Sequence, residues 1–474
     1  MAGKRPINAE VPATKPEDSP KKERATPSPP AKPAEPDAKQ AKAVTPDAPK
    51  PAPATPPPAA VKRKRKPIPT ALKAIGGLVL VALVFLIAAV LGGGGSNKRD
   101  EKPAPAPVQA TPEPAPEEKQ TPTAEAAEEL GYPSFATNNT TRVGGSDAAT
   151  TAAGVALAVF PSAKVAQRPA AVTLVDEGDW QGAVAAAVLM SAPVRAPLLV
   201  SSGSDLPDPT SQALDALDPQ GSRATDKAQA FAIGSAVTPE GLRTTKVKAA
   251  NPAALAVAIE ALRNKLLGDA PRHIVLAPED EPEFAAPAAA WAARSGDAVL
   301  YSGPGKLPKE TAGALSADPK TPVYVLGPSS AISSDVVREV AKIGNPVRRV
   351  SGEKPVENAI ALARYASGGF GWNVNDPGHG LVVARSDEPL AAAIAAPLSA
   401  SGTWGPLLLT DDADTLPKAL REYLLDIKPG YTTDPTRAFY NHVWVIGDQE
   451  AIDVNQQAEI DQLAELAKIG GGEE

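Results

Sequence analysis

The sequence predicts an α/β protein of three tandem units, preceded by one transmembrane helix and by disordered segments rich in Pro and Ala. Three observations predict this fold. An 18-residue apolar run lies near residue 80, prolines cluster on both sides of it, and a pattern of seven strand and helix features occurs three times after residue 137. Strands that alternate with helices are typical of βαβ units with a mostly parallel sheet.

The N-terminal segment, residues 1–70, is predicted to be a disordered cytoplasmic tail. It contains 18 prolines and 15 Lys/Arg against 7 Asp/Glu. Its few branched apolar and aromatic side chains cannot bury enough surface to offset the entropy lost on ordering. The whole chain has a net charge of −7. The negative charge therefore lies after residue 70, and the two parts are expected to face different compartments or partners.

The apolar run from Ala74 to Leu91 predicts a transmembrane helix within residues 71–92. At about 1.5 Å per residue, such a helix spans roughly 27 Å, close to the thickness of a bilayer core. The long segment before the run disfavours a cleaved signal peptide. Five consecutive basic residues at 62–66 precede it. They predict a single-pass protein of the cell membrane, with the N-terminus in the cytoplasm and the C-terminal region outside.

Residues 93–130 predict an extended extracytoplasmic linker, because Pro, Glu and Ala dominate this segment. Polyproline-type chain rises about 3.1 Å per residue, so roughly 25 residues reach about 75 Å. Such a linker would lift the folded region away from the membrane.

The repeated pattern divides the C-terminal region into residues 137–242, 243–346 and 347–470. Each repeat has a basic opening, an Ala-rich helix, an apolar strand with a polar turn, a second Ala-rich helix, a second strand, a Leu-Pro pair and a last strand. The openings are RVGG at Arg142, KVKA at Lys246 and RVSG at Arg349. The last strands are AFAIGSAV, VYVLGPSSAI and VWVIGDQEAI. Seven features in one order, three times, indicate an internal repeat.

This pattern resembles the cell wall-binding repeat type 2 family over roughly residues 137–456. The resemblance implies three Rossmann-like units around a pseudo-threefold axis and non-covalent attachment of a bacterial surface protein to an anionic wall polymer. The chain departs from the family pattern, because an Arg-Tyr-Glu-Thr segment is missing after all three openings. The abundance of Ala and Pro favours a high-GC bacterium, such as an actinobacterium.

Two groups of residues are candidates for binding the polymer. Arg142, Lys246 and Arg349 occupy the same place in each repeat, where a cation could reach a phosphate. The alternative is that each forms a salt bridge with a neighbouring repeat. Trp372 and Tyr431 lie in loops that the first two repeats lack. Their rings could stack on sugars, or could fill the space left by a longer loop.

No catalytic site is predicted. The chain has no cysteine, and His273, His379 and His442 lack the spacing of a zinc site. We therefore expect no enzyme activity, metal, cofactor or nucleic-acid partner. The predicted function is a membrane-anchored protein that binds an anionic wall polymer or a glycan associated with peptidoglycan. The alternative is a degenerate repeat domain that binds another envelope protein, while the cytoplasmic tail recruits a partner.

Overall fold

The computed structural model of the protein describes residues 135–469. The predicted tail, membrane helix and linker lie outside the described residues. Within 135–469, no helix has both the length and the apolar character needed to cross a bilayer. The expectation of a mixed α/β fold with parallel sheets is confirmed.

Fifteen strands and thirteen α-helices make up the described region. The strands are β1 (Phe135–Ala136), β2 (Thr140–Val143), β3 (Val172–Asp176), β4 (Leu198–Ser201), β5 (Ala230–Ile233), β6 (Thr244–Val247), β7 (Ile274–Pro278), β8 (Ala298–Ser302), β9 (Val323–Leu326), β10 (Val347–Val350), β11 (Gly380–Arg385), β12 (Leu407–Thr410), β13 (Gly430–Tyr431), β14 (His442–Ile446) and β15 (Ala467–Lys468). The helices are α1 (Ala148–Val159), α2 (Trp180–Ala186), α3 (Asp208–Leu217), α4 (Pro252–Leu267), α5 (Pro282–Ala285), α6 (Pro287–Ser295), α7 (Lys309–Ala317), α8 (Ser334–Ile343), α9 (Pro355–Arg364), α10 (Pro389–Ile394), α11 (Ala396–Ala400), α12 (Lys418–Asp426) and α13 (Val454–Ala464).

Three parallel sheets have the same strand order. The first sheet is β4-β3-β5-β6, the second is β8-β7-β9-β10, and the third is β12-β11-β14-β2 with β1 antiparallel at its edge. The middle strands of each sheet are buried on both faces. This burial explains why they read as continuous apolar runs, since helices cover both faces of a parallel sheet.

Each sheet contains one strand from the following sequence repeat. β6 opens the second repeat but pairs with β5 of the first, and β10 opens the third but pairs with β9 of the second. The predicted boundaries at 242/243 and 346/347 follow the sequence period and fall just before these exchanged strands. Consecutive repeats therefore share backbone hydrogen bonds.

The third sheet is completed by the first repeat. β2 pairs in parallel with β14, so that Thr140 lies opposite Val443 and Val143 opposite Ile446. The pairing joins the two ends of the described chain and closes the exchange into a ring. Without β2, β14 would present an unpaired edge of N–H and C=O groups.

The helices that follow β3, β7 and β11 pack against one another where the three sheets meet. These are α2 with a 3₁₀ turn at Ala187–Met190, α5 with α6, and α10 with α11. Ala183, Ala289 and Ala393 have 0% exposure. Small side chains allow such close approach, and any larger side chain at these positions would overpack the centre.

Arg142 holds the ring closed through its guanidinium. Nε donates to Oε1 of Gln457 at 3.0 Å, Nη1 to the carbonyls of Gly447 (3.0 Å) and Asp448, and Nη2 to the carbonyl of Ile452 at 2.5 Å. The side chain is 1% exposed, and burial lowers its pKa. The hydrogen bonds therefore offset the cost of removing this charge from water.

Arg349 makes the same contacts between the second and third repeats. Its Nη1 donates to the carbonyls of Gly327 at 2.6 Å and Pro328 at 3.0 Å, and Nη2 donates to Ile332 at 2.6 Å. Lys246 occupies the equivalent place in the first sheet, but its side chain is exposed. The guanidinium contacts thus recur at two of the three strand exchanges.

We expect Arg142→Met to lower the free energy of unfolding by about 2–4 kcal/mol, because three carbonyl oxygens would lose a charged donor in a buried setting. The matched change Lys246→Met should alter it by no more than about 0.5 kcal/mol, because that side chain is in water. Urea unfolding of the two variants measures both effects. Equal midpoints for the two variants would show that the guanidinium does not stabilise the closure.

Candidate functional site

The five sequence-predicted site residues do not form one surface. The guanidinium donors of Arg142 and Arg349 are occupied by backbone carbonyls, whereas Lys246 is exposed on another sheet. Tyr431 is half-buried in β13, where its carbonyl accepts from the backbone N–H of Ile469 at 2.8 Å. Of the five, only Trp372 lines the cavity described next.

A cavity of about 340 Å³ lies at the N-terminal edge of the second sheet. Its main side chains are Arg272, His273, Trp291 and Arg294 of the second repeat, with Trp372 and Trp404 of the third. We call it the arginine–tryptophan cleft. Because its two walls come from different repeats, the cleft exists only when the repeats are packed together.

Local sequence features place the residues of the second-repeat wall. Arg272 and His273 directly precede β7, so they lie at the start of a central strand. Trp291 and Arg294 are three residues apart near the end of α6, on neighbouring positions of one helix face. The helix ends at Gly296, whose φ of +78° suits a residue without a side chain. The chain then turns directly into β8.

The third-repeat wall consists of a loop that is fastened to the second sheet by aromatic rings. Phe370 stacks on Tyr324 with centroids 3.8 Å apart, and the hydroxyl of Tyr324 donates to the carbonyl of Ser367 at 2.9 Å. Trp372 is 4% exposed and packs edge-on against Trp291 at 5.5 Å. These rings fill the space beneath the loop, so Trp372 supports the wall and offers little surface to a ligand.

A buried hydrogen-bond network fixes the floor of the cleft. Asp297 is 2% exposed and accepts from Nε1 of Trp291 at 2.9 Å and from the backbone N–H of His273 at 3.1 Å. Nδ1 of His273 lies 3.0 Å from Asp297 Oδ2, and Nε2 lies 3.1 Å from the carbonyl oxygen of Gly368. Both ring nitrogens face acceptors, and only the imidazolium can donate to both.

The hydrogen bond with Asp297 raises the pKa of His273 above its ordinary value, against the opposing effect of burial. When protonated, the ring can donate to both Asp297 and the carbonyl oxygen of Gly368, and so join the second sheet to the loop. Since Nδ1 is hydrogen-bonded to Asp297 and Nε2 to the carbonyl oxygen of Gly368, the ring presents no free nitrogen to the cavity. This Asp–His pair therefore fastens the loop in the arrangement observed here.

The mouth of the cleft combines two cations with an indole ring. Arg272 and Arg294 are exposed, and Trp404 is half-buried. The guanidinium carbon of Arg294 lies 4.6 Å from the centroid of the Trp404 ring, within the range of a cation–π contact. Among residues 135–469, Asp297 is the only carboxylate lining the cleft, and its oxygens already accept three hydrogen bonds. The free charge at the mouth is positive.

The opposite edge of the sheets is acidic. Acidic residues lie at or just after the ends of β3, β7 and β11: Asp176, Glu177 and Asp179; Glu279, Asp280, Glu281 and Glu283; Asp387 and Glu388. Burial raises the pKa of Asp179, Glu281 and Glu388, which occupy the N-cap of α2, α5 and α10. The charges are thus unevenly distributed between the two ends of the strands.

A larger cavity of about 440 Å³ lies at this acidic edge, in the third sheet. Arg385 is its only cation, and that side chain pairs with Asp387 through contacts of 2.9 and 2.8 Å. Asp147, Glu388, Asp448 and Glu450 also line the cavity. These carboxylates would repel an anion, so the larger volume of this cavity does not make it the candidate polymer site. Between residues 135 and 469, no group of three or more His, Cys, Asp or Glu side chains could hold a metal ion.

Sequence reasoning missed Arg272 and Arg294. Their signal was a Trp and an Arg three positions apart at a helix end, closely followed by the strand-preceding Asp297. Trp404 belongs to the third repeat, and only the packing of the repeats brings it over Arg294. For Trp372 the sequence left two roles open, stacking on a sugar ring or filling the space left by a longer loop, and the structure places its ring beneath the loop.

Comparison with known proteins gives a likeness of fold. No family model and no curated protein matches the chain. Among solved structures, Cwp8 from Clostridium difficile aligns with a TM-score of 0.53 and 21% identity, covering 69% of this chain and 52% of that protein. Cwp6 from the same organism aligns with a TM-score of 0.54 and 17% identity, covering 69% and 47%. The chain shares their fold. It spans about half the length of each.

The raised pKa of His273 leads to a prediction about stability. The imidazolium contacts should contribute fully below about pH 6.5, the ordinary histidine pKa, and be lost as the pH rises through the higher pKa of the folded state. The difference in unfolding free energy between the parent and His273→Gln should therefore shrink from pH 6 to pH 9.

His442→Gln is a matched control, because burial lowers the pKa of His442. The parent should lose stability relative to this variant as the pH falls below about 6.5, which is the opposite slope. Urea unfolding at a series of pH values measures both differences. Parallel pH profiles for the two variants would contradict the assigned imidazolium.

Proposed function

We propose that the protein attaches non-covalently to an anionic cell-wall polymer through the arginine–tryptophan cleft. The observation that carries this proposal is the pair of exposed guanidiniums of Arg272 and Arg294 beside the ring of Trp404. Guanidiniums pair with phosphate or carboxylate groups, and an indole gives a sugar ring a flat apolar surface. Both chemistries are present in one cavity.

Two further features support the proposal. The fold is shared with the C. difficile cell wall proteins Cwp8 and Cwp6. The acidic residues at the ends of β3, β7 and β11 lie at the other edge of the sheets, so a polymer that approaches the cleft avoids them. In this proposal three repeats with pseudo-threefold packing hold the wall polymer outside the cell. The helix predicted within residues 71–92 would anchor the protein in the membrane.

A second candidate function rests on exposed aromatic side chains. Phe439 is 71% exposed and Tyr440 is 51% exposed, in the loop that precedes β14. Aromatic residues exposed together are typical of protein–protein contacts. This loop favours the alternative in which the domain binds another envelope protein.

Changing Arg272 and Arg294 together to Gln should weaken binding to purified sacculi by roughly 30–1000-fold, since each lost charge-assisted contact costs about 1–2 kcal/mol and every 1.4 kcal/mol is tenfold. The dependence of binding on salt should also become shallower, because fewer screened charges contribute. Sedimentation with sacculi at several salt concentrations measures both effects. The matched control is Lys306→Gln with Lys309→Gln, which removes the same charge from the opposite end of β8, where both lysines are exposed.

Binding should survive protease treatment of the sacculi. Equal weakening by both double variants would show that total charge, and not the cleft, governs attachment. Loss of binding to protease-treated sacculi would favour the protein partner, and Phe439→Ser should then weaken binding to untreated sacculi.

The membrane topology has its own test, because the chain contains no native cysteine. Single cysteines at Ser19 and at the exposed Lys306 can be labelled on intact cells with an impermeant maleimide. We expect labelling of Lys306→Cys and protection of Ser19→Cys, since the basic cluster at 62–66 retains the N-terminus in the cytoplasm. The reverse pattern would invert the proposed orientation.

A further inference from the structure

We infer that a second cationic subsite, formed by Phe160, Arg168 and Arg195, binds the same polymer chain as the arginine–tryptophan cleft. The ligand class that fits both is a linear acidic polysaccharide, bound in an extended form. This inference rests on the proposed function and extends it from one subsite to a continuous surface.

The second subsite is a cavity of about 420 Å³ at the N-terminal edge of the first sheet. Arg168 precedes β3, and Arg195 lies in the turn that precedes β4. Both lie shortly before a strand, as Arg272 does before β7 and Arg294 before β8, although they are not at matching positions of the repeat. The two cavities therefore occupy the same edge of neighbouring sheets, opposite the acidic edge.

The chemistry of the two cavities is also alike. The guanidinium carbon of the exposed Arg195 lies 5.4 Å from the centroid of the Phe160 ring. Arg168 pairs with Asp218, and its Nε is buried without a hydrogen-bond partner. In the part of the chain that the structure describes, no carboxylate lines this cavity. A buried donor without a partner is costly, so an acidic ligand that reached Nε would satisfy it.

The backbone at Arg195 supports a role in binding. Its φ is +51°, a left-handed conformation that is unfavourable for a side chain with a Cβ. At the corresponding turn of the second sheet, the left-handed residue is Gly296, with φ +78°. A glycine would therefore suit the turn better, and the arginine keeps a cation at the cavity at the expense of backbone strain.

A third cavity, of about 250 Å³, is lined by residues that are shared with, or next in sequence to, residues of both subsites, and we take it as the connection between them. Val159 lines both this cavity and the second subsite. At the other end, Thr403 lines the connecting cavity, and the next residue, Trp404, lines the cleft. The half-buried rings of His442 and Trp444 lie between, with centroids 5.1 Å apart. No carboxylate lines the connecting cavity.

The three cavities form one surface, which we call the basic–aromatic track. Cations lie at both ends, and aromatic rings lie at the ends and in the middle. A polysaccharide bound at one end would present its next residues to the other end at high effective concentration. Affinity should therefore rise steeply with chain length until the ligand spans the track, and should level off beyond that length.

The test uses the full-length protein and size-sorted fragments of the anionic polysaccharide released from purified sacculi by mild acid. Fragment affinity is measured by calorimetry for the parent, for Arg168→Gln with Arg195→Gln, and for Arg272→Gln with Arg294→Gln. In the first double variant, we expect the affinity for long fragments to fall about 10-fold or more, while affinity for the shortest fragments stays at the parental value. In the second double variant, short and long fragments should both bind more weakly.

Arg195→Gly separates binding from stability. It removes the cation and relieves the left-handed strain, so its melting temperature should equal or exceed that of the parent. Its gain of affinity with fragment length should nevertheless be reduced. Unchanged length dependence in Arg195→Gly and in the Arg168/Arg195 variant would overturn the second subsite, and the cleft would stand.

Two controls test the ligand class. Polyphosphate of matched length carries charge without rings, and dextran fragments carry rings without charge. Both should bind more weakly than the acidic polysaccharide, and equal affinity for polyphosphate would overturn the assignment to a polysaccharide. If the parent binds no acidic fragment of any length, the proposed function fails together with the track.

Discussion

Strand exchange between consecutive repeats is the constraint on which the rest of the structure depends. Each four-stranded parallel sheet needs the opening strand of the next repeat, and the third sheet obtains that strand from the first repeat through the pairing of β2 with β14. The exchange is therefore cyclic. A repeat removed from this ring would leave two unpaired sheet edges, one where its own strand was and one where it received a strand. Arg142 and Arg349 reinforce two of the exchanges by binding the turn that follows the neighbouring strand.

The same constraint explains the composition of the centre. Because the exchanged strands hold the repeats in a fixed ring, the helices after β3, β7 and β11 have to meet, and the space available to them is small. Alanine satisfies this geometry, as at Ala183, Ala289 and Ala393, all of them inaccessible to solvent. The abundance of alanine in the C-terminal region thus has a packing cause. Gaps between neighbouring units remain at the N-terminal ends of the strands. The arginine–tryptophan cleft and the connecting cavity lie there.

Much of the fold could be predicted from the sequence, because apolar runs, Ala-rich helices and the triple order of features are local signals. The strand exchange could not, since nothing in β2 itself specifies a partner some 300 residues away; the contact from Arg142 to Gly447 spans 305 positions. The site was less predictable for the same reason. Arg294 and Trp404 are brought together by packing between repeats. The sequence placed Trp372 in a loop that the first two repeats lack, and its ring is buried beneath that loop.

The proposed binding also has to be reconciled with the charge after residue 70: the whole chain carries −7 and residues 1–70, with 15 Lys/Arg against 7 Asp/Glu, carry +8, so the rest carries −15. Ionic screening at physiological salt acts over about 8 Å, so a ligand responds to the charges of its own cavity more than to the total. Among the described residues that line the basic–aromatic track, the only carboxylate is Asp297, which is engaged with His273 and Trp291. Asp218, outside the lining, is paired with Arg168. Acidic groups at the other ends of the strands would repel the same polymer. A negative protein can therefore bind a negative polymer in one orientation, and its acidic edge would disfavour binding in the opposite one.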